Sequence, residues 1–220
     1  MRETFTQQLK ELNDNLTNMG SLCEDCITDA TQALLTGEAA LGEQAIQLER
    51  DIDVKEREIQ NLCMKLLLQQ QPVAHDLRTI SAALKMITDM ERIGDQGSDI
   101  AELLNHTSIE SKVNNTHIAA MADAVIRMVT GSIDAFTKHD EQLAETIAAQ
   151  DDEVDELFQQ VKSDILDMIT SGIKHNRILG EQAINTLMIA KYLERIGDHA
   201  VNITEWVRFS IGNDEKFNLL

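Results

Sequence analysis

The sequence predicts an all-α protein made of two tandem pseudo-symmetric three-helix bundles, six long helices in all. Three observations lead there. Aromatic residues make up only 3% of the chain and there is a single proline, and no aromatic or β-branched run alternates with the period of a strand. Apolar residues instead recur in steps of three and four over long stretches, the spacing of one face of a helix. Finally, the core Glu-Arg-Ile-Gly-Asp occurs twice, in Asp89–Asp95 and in Tyr192–Asp198, at an offset of 103 residues.

The first helix is expected from about Thr4 to Leu35, with a coiled-coil-like seam of Leu9, Leu12, Leu16, Met19, Cys23, Cys26, Ala30 and Ala33. Thr36-Gly37 closes it, glycine being the usual residue just past a helix end. The second runs from about Glu38 to Gln70 on Leu41, Ala45, Leu48, Ile52, Ile59, Leu62 and Leu66. Gln71-Pro72 interrupts the pattern, because proline disfavours helix in the residue before it. A third helix, about Val73 to Asn105, carries Leu77, Ile80, Leu84 and Ile87, and its seam continues onto or beside Glu91. Gly94 and Gly97 each cost about 1 kcal/mol against alanine inside a helix, which points to a close approach by another element. Thr107–Asn115 reads as a linker.

The scheme then restarts. The fourth helix, about Thr116 to Thr137, presents Ile118, Met121, Val125, Val129, Ile133 and Phe136. The fifth, about Asp140 to Ser171, presents Leu143, Ile147, Val154, Leu157, Val161, Ile165 and Met168, and the sixth runs from about Arg177 to Ile211. The two units divide at 1–108 and 109–220.

Acidic rows flank these seams. Glu91, Asp95, Asp99 and Glu102 fall within roughly 80° of one helix face, and Glu194, Asp198, Asn202 and Glu205 repeat the wedge. Glu49, Asp53 and Glu56 form a second row, matched by Asp151 and Asp155 in the later unit. Like charges four residues apart cost a few tenths of a kcal/mol per pair. Single pairs of this kind are common on solvated faces; recurrence of both rows in both units is what gives them weight. If the helices of each unit pack antiparallel, the rows face each other and form carboxylate clusters that call for a counter-cation. Oxygen ligands without imidazole suit Mg, Mn, Ca or Fe. His199 is expected at the surface, and the other histidines show no spacing that makes a site.

A net charge of −19 argues against nucleic acid and against adsorption to an anionic membrane surface. No run of eighteen apolar residues and no apolar N-terminal segment is present, so a non-exported, soluble protein without membrane insertion is expected. Cys23, Cys26 and Cys63, an odd count, read as reduced thiols of a cytoplasmic protein; Cys23 and Cys26 fall on the apolar stripe as core residues, and their CxxC lacks partners for zinc. A ferritin-like di-iron oxidase needs Glu-x-x-His, whereas Gly94 and Gly197 stand three residues after Glu91 and Glu194. Phosphate loops, nucleophile elbows and His-Glu-x-x-His are absent from the sequence.

The stretches Gln71–Arg78, Met90–Asp95 and Tyr192–Ile203 closely resemble the PhoU family of phosphate-specific transport accessory proteins, over essentially the whole chain. The resemblance implies a non-enzymatic cytoplasmic regulator, usually a homodimer, held at the inner face of the membrane by protein partners. Those partners would be the ATPase subunit of the phosphate ABC transporter and the sensor histidine kinase of the phosphate regulon. It further implies metal ions (Mg, Mn or Fe) on Glu/Asp-x-x-x-Asp motifs, which map here onto Glu49/Asp53, Glu91/Asp95, Asp151/Asp155 and Glu194/Asp198, extended by Asp99 and Asn202. Three departures stand out: Glu49 occupies a place where an Asp is expected, Asn202 replaces the Asp99 of the first row, and the Pro72–Arg78 motif has no counterpart in the second unit. A carboxylate-bridged metal enzyme and a cation-binding helical protein without a signalling role are the rival readings.

Overall fold

The computed structural model describes residues 2–69, 73–105, 116–172 and 177–212, and all of its regular elements are helices. The Gln71-Pro72 break, the Thr107–Asn115 linker, His106 and His175 lie outside the described residues. The first unit comprises α1 (Arg2–Thr36), α2 (Ala39–Gln69) and α3 (Ala74–Asn105). The second comprises α4 (Thr116–Lys138), a helix interrupted into α5 (Glu141–Ala148) and α6 (Asp151–Gly172), and α7 (Arg177–Ile211).

The helix ends follow the sequence logic. Gly37 adopts φ +76° and its N–H reaches the Ala33 carbonyl at 2.9 Å, closing α1 as a left-handed cap. At the start of α3, Asp76 accepts a bond from the Val73 N–H at 3.3 Å, half of a capping box. Asp140 caps α5 by accepting from the Leu143 N–H at 2.9 Å.

The expected single fifth helix is broken. Ala149 N–H bonds to Glu145, but Gln150 N–H bonds to Ile147, a tighter turn that ends α5 before Asp151 begins α6. Three acids, Asp151, Asp152 and Glu153, occupy the first turn of α6, where the helix dipole favours negative charge.

The α1 seam from Leu12 to Ala33 is buried as expected, with Leu9 packed at its margin. In α3 the inward place falls to Met90 and Ile93, so Glu91 borders the core without entering it. Leu77 departs from its place in the apolar stripe and is exposed; it lies at the start of α3, where packing partners run out. The three cysteines are free and buried. Cys23 Sγ lies 3.4 Å from the Met90 carbonyl and Cys26 Sγ 3.4 Å from that of Ala45, so both thiols fill the α1–α2–α3 core.

The two units share one contiguous apolar core. Gly20 of α1 admits the Ile133 side chain of α4, and Thr130 donates to Glu24 at 3.2 Å beside it. The other seam between the units joins α3 to α7, which run antiparallel: Asp89 lies opposite Asn202, while Arg78 lies against Gly212.

Candidate functional site: two acidic helix pairs and a carboxylate latch

Close packing within each unit begins at the repeated glycine. A Cβ on Gly94 would stand 2.8 Å from Ile52 Cδ1, and one on Gly197 would stand 3.2 Å from Asp151 Oδ1. The absent side chain therefore lets α2 approach α3, and α6 approach α7, at the level of the acids. Gly97 serves the same purpose toward α1, where a Cβ would lie 2.6 Å from Cys26 Sγ.

The α2–α3 contact brings the two acidic rows of the first unit into one electrostatic group. Glu49 is pushed above the usual carboxylate range by desolvation, then by Asp53 and Asp95. Glu91 is raised by desolvation and by Asp95, with Glu56 and Asp53 adding to it. Asp99 is raised by desolvation, Asp95 and Glu102, against which Arg195 of α7 acts.

In the second unit Asp151 is the focus. Its carboxyl is pushed from 3.8 up to about 6, first by desolvation, then by Asp198, Asp155, Glu194 and Asp152. Asp198 is raised in turn, by desolvation and then Glu194, with Lys191 and His199 opposing.

The four Glu/Asp-x-x-x-Asp pairs thus sit in two equivalent clusters. Their excess charge is offset in part by cations on the same helices. Arg57 bonds Asp53 at 3.0 Å, Arg92 bonds Asp95 at 2.7 Å and Glu91 at 3.3 Å, and Lys191 pairs closely with Glu194. Among the described residues no three His, Cys, Asp or Glu side chains converge as a ready-made metal site. The donor set suits a hard cation, but gathering it requires carboxylates to rotate away from their Arg and Lys partners.

Asn202 engages the other unit. Its amide donates to Asp89 Oδ1 at 3.1 Å, across the α3–α7 seam. The same oxygen lies 2.9 Å from His199 Nδ1, and the Trp206 indole N–H donates to Asp89 Oδ2 at 3.2 Å. His199 is therefore partly buried between the units, not free at the surface as expected. Phe209 packs edge-on against Trp206 at a centroid distance of 6.1 Å and steadies the indole. Positions 199, 202 and 206 share one face of α7; that spacing was available in the sequence, but its acceptor 110 residues upstream was not. His117 also has a role the sequence did not show, joining α4 to α6 through Asp164 at 2.7 Å.

Among the described residues no helix is long and apolar enough to cross a membrane.

Comparison with known proteins places this geometry in a family. The family model of the PhoU domain matches twice, over residues 16–104 and 118–207. A phosphate-specific transport system accessory protein PhoU homologue from Clostridium acetobutylicum is 33% identical over 206 residues, covering 93% of this chain and 92% of the relative. The homologue of the same description from Pseudomonas aeruginosa is 31% identical over 95% of this chain and 86% of its own length. The crystal structure of PhoU from Pseudomonas aeruginosa superposes with a TM-score of 0.85 at 31% identity, covering 96% of this chain and all of that one. The phosphate transport system regulatory protein PhoU from Streptococcus pneumoniae, at 23% identity and a TM-score of 0.84, shares the fold. Two domain matches that together span most of the sequence, and relatives aligned over nearly their full length, establish that the chain belongs to the PhoU family.

Proposed function

We propose that this protein is a non-enzymatic regulator that restrains phosphate uptake and the phosphate-starvation response. It acts as a dimeric, metal-binding adaptor between the phosphate-specific ABC transporter and the sensor histidine kinase, on the cytoplasmic face of the membrane. The observation that carries the reading is the near full-length likeness to phosphate-specific transport accessory proteins.

The acidic clusters supply the adaptor's variable surface. Crowded carboxylates held above their ordinary titration range gain from a bound cation, and metal such as magnesium, manganese or iron lowers the local charge seen by a partner. Glu49, Asp53, Glu91, Asp95 and Asp99 would hold it in the first unit, and Asp151, Asp155, Glu194 and Asp198 in the second. Asn202 would add its amide oxygen to the second set, its amide nitrogen being the atom that donates to Asp89.

Deletion of the protein in its host, read by a phosphatase reporter and by phosphate uptake in high phosphate, tests the assignment. Constitutive reporter expression or excess uptake is expected; an unchanged reporter together with unchanged uptake overturns the regulatory reading. Asp95→Ala and Asp198→Ala, scored in the same assay, separate a requirement for the acidic clusters from a requirement for the fold.

A further inference from the structure

Two histidines remote from the acidic clusters meet where the units join. His75 stands in the first turn of α3, in the first unit, and His139 at the corner between α4 and α5, in the second. Their ring centroids are 6.1 Å apart, with the planes tilted by 55°, and both residues are exposed. His117 and His199 each face an aspartate, at 2.7 and 2.9 Å. Among the described residues the imidazoles of His75 and His139 have no such partner, only each other and the Phe136 ring.

The corner fixes where the His139 ring stands. His139 has φ +51°, the one non-glycine residue in the left-handed region among the described residues. That backbone costs an L residue about 1–3 kcal/mol and suits glycine or asparagine better. The turn is pinned on either side: the His139 N–H donates to the Phe136 carbonyl at 3.1 Å and the Asp140 N–H to that of Ala135 at 2.9 Å. Phe136, wholly buried, backs the imidazole at a centroid distance of 6.4 Å.

Two imidazoles at this spacing suit a metal ion between them. A metal–nitrogen bond of about 2.0–2.1 Å places each ring centroid about 3 Å from the ion, so two rings at the tetrahedral angle stand about 5 Å apart. The observed separation is about 1 Å longer, a gap that rotamer adjustment of two exposed side chains closes. Imidazole favours zinc, copper and nickel, whereas carboxylates favour magnesium, calcium and manganese. The pair therefore selects ions unlike those of the acidic clusters. His139 follows the C-terminus of α4, where the helix dipole favours a cation, and Asp76 beside His75 offsets the opposite dipole at the start of α3. Lys138, the neighbouring cation, is bonded to Asp134 at 2.6 Å. Asp76 and Asp140 each commit one carboxylate oxygen to a helix cap, and no third His, Cys, Asp or Glu converges on the pair among the described residues. Water completes the shell.

We propose that His75 and His139 chelate a divalent transition-metal ion of the zinc and copper class, which ties the start of α3 to the α4–α5 corner and so links the two units. His75 belongs to the Pro72–Arg78 motif that only the first unit carries, so the chain has one such site and not a repeated pair. The site is separate from the hard-cation clusters of the functional reading and does not depend on them.

Calorimetric titration of the full chain with zinc chloride, in excess magnesium to occupy the carboxylates, tests the affinity. Electron paramagnetic resonance with less than one equivalent of copper(II) counts the nitrogen ligands. Wild type is expected to bind zinc with a Kd of about 1–10 µM and to show two imidazole nitrogens on copper. His75→Gln and His139→Asn are each expected to weaken the tightest zinc site by at least ~10-fold and to leave one imidazole nitrogen. Asparagine tolerates the left-handed corner, so the helical signal and the metal-free thermal midpoint should stay at the wild-type values. Zinc that binds both variants as tightly as wild type, or a copper spectrum whose imidazole count is the same in all three chains, overturns the proposal. A wild-type zinc Kd weaker than about 100 µM does so as well. The regulatory reading stands or falls separately, on the deletion phenotype.

Discussion

Replacing Asp89 with alanine removes an acceptor shared by three donors of α7 and with it a polar tie across the α3–α7 seam. The side chains of Asp89 and His199 are only 15% and 19% exposed, whereas Asn202 is exposed and can turn to water. The loss is therefore concentrated in the His199 and Trp206 bonds. Hydrogen bonds to a charged group are worth about 1.5–3 kcal/mol each, so the lower end for two of them gives about 3 kcal/mol. At the usual 2–4 °C per kcal/mol for a chain of this size, the midpoint falls by about 6–12 °C. Asp89→Asn keeps an acceptor and loses the charge, and should fall between wild type and alanine. Urea and thermal unfolding followed by circular dichroism measure both. A double-mutant cycle with His199→Ala should return a coupling of about 1 kcal/mol or more. A midpoint change under 2 °C for Asp89→Ala, or additive effects in the cycle, would refute the latch as a stabilising contact.

Three further predictions concern the acids and the core. In the folded chain Glu49, Glu91, Asp99, Asp151 and Asp198 hold protons more tightly than ordinary carboxyls do. The folded state therefore binds more protons than the unfolded one, and stability falls as pH rises, for Asp151 between 3.8 and about 6. Thermal midpoints should accordingly be higher at pH 5 than at pH 7. Asp151→Asn should raise the pH 7 midpoint and flatten the profile, and a millimolar divalent cation should stabilise at pH 7 far more than at pH 5; a midpoint that rises from pH 5 to pH 7 would count against this. Gly97→Ala should destabilise by about 1–2 kcal/mol despite its better helix propensity, because its methyl meets Cys26 Sγ. Cys26→Ala in the same chain should recover part of that loss, and a purely additive double variant would contradict the packing. Burial pushes the Cys26 and Cys63 thiols up to about 12, so no thiol should react with a disulfide reagent at pH 8 until denaturant is added.

What the sequence disclosed and what it withheld differ in kind. Helix periodicity and the repeated Glu-Arg-Ile-Gly-Asp are local, and they located the acidic rows and the glycines that let helices approach. The register of one helix against another is not local. Nothing in the spacing of His199, Asn202 and Trp206 pointed to Asp89, and the extension of the second acidic row to Asn202 followed helix geometry alone. The interruption before Asp151 had a signal that periodicity overrode: three acids in succession are typical of a helix start, yet the apolar stripe runs past them from Ile147 to Val154. Leu77 was misplaced because a stripe does not show where a helix outruns its neighbours.

The shared core has a bearing on how such a molecule can carry a message. With Gly20 closed on Ile133 at one seam and Asp89 latched to α7 at the other, the described parts of the two halves are tied against swinging as separate lobes. Densely packed interiors resist graded deformation. For the adaptor function proposed above, the adjustable part is then the surface: which carboxylates are protonated, paired or neutralised sets the pattern of charge a partner meets.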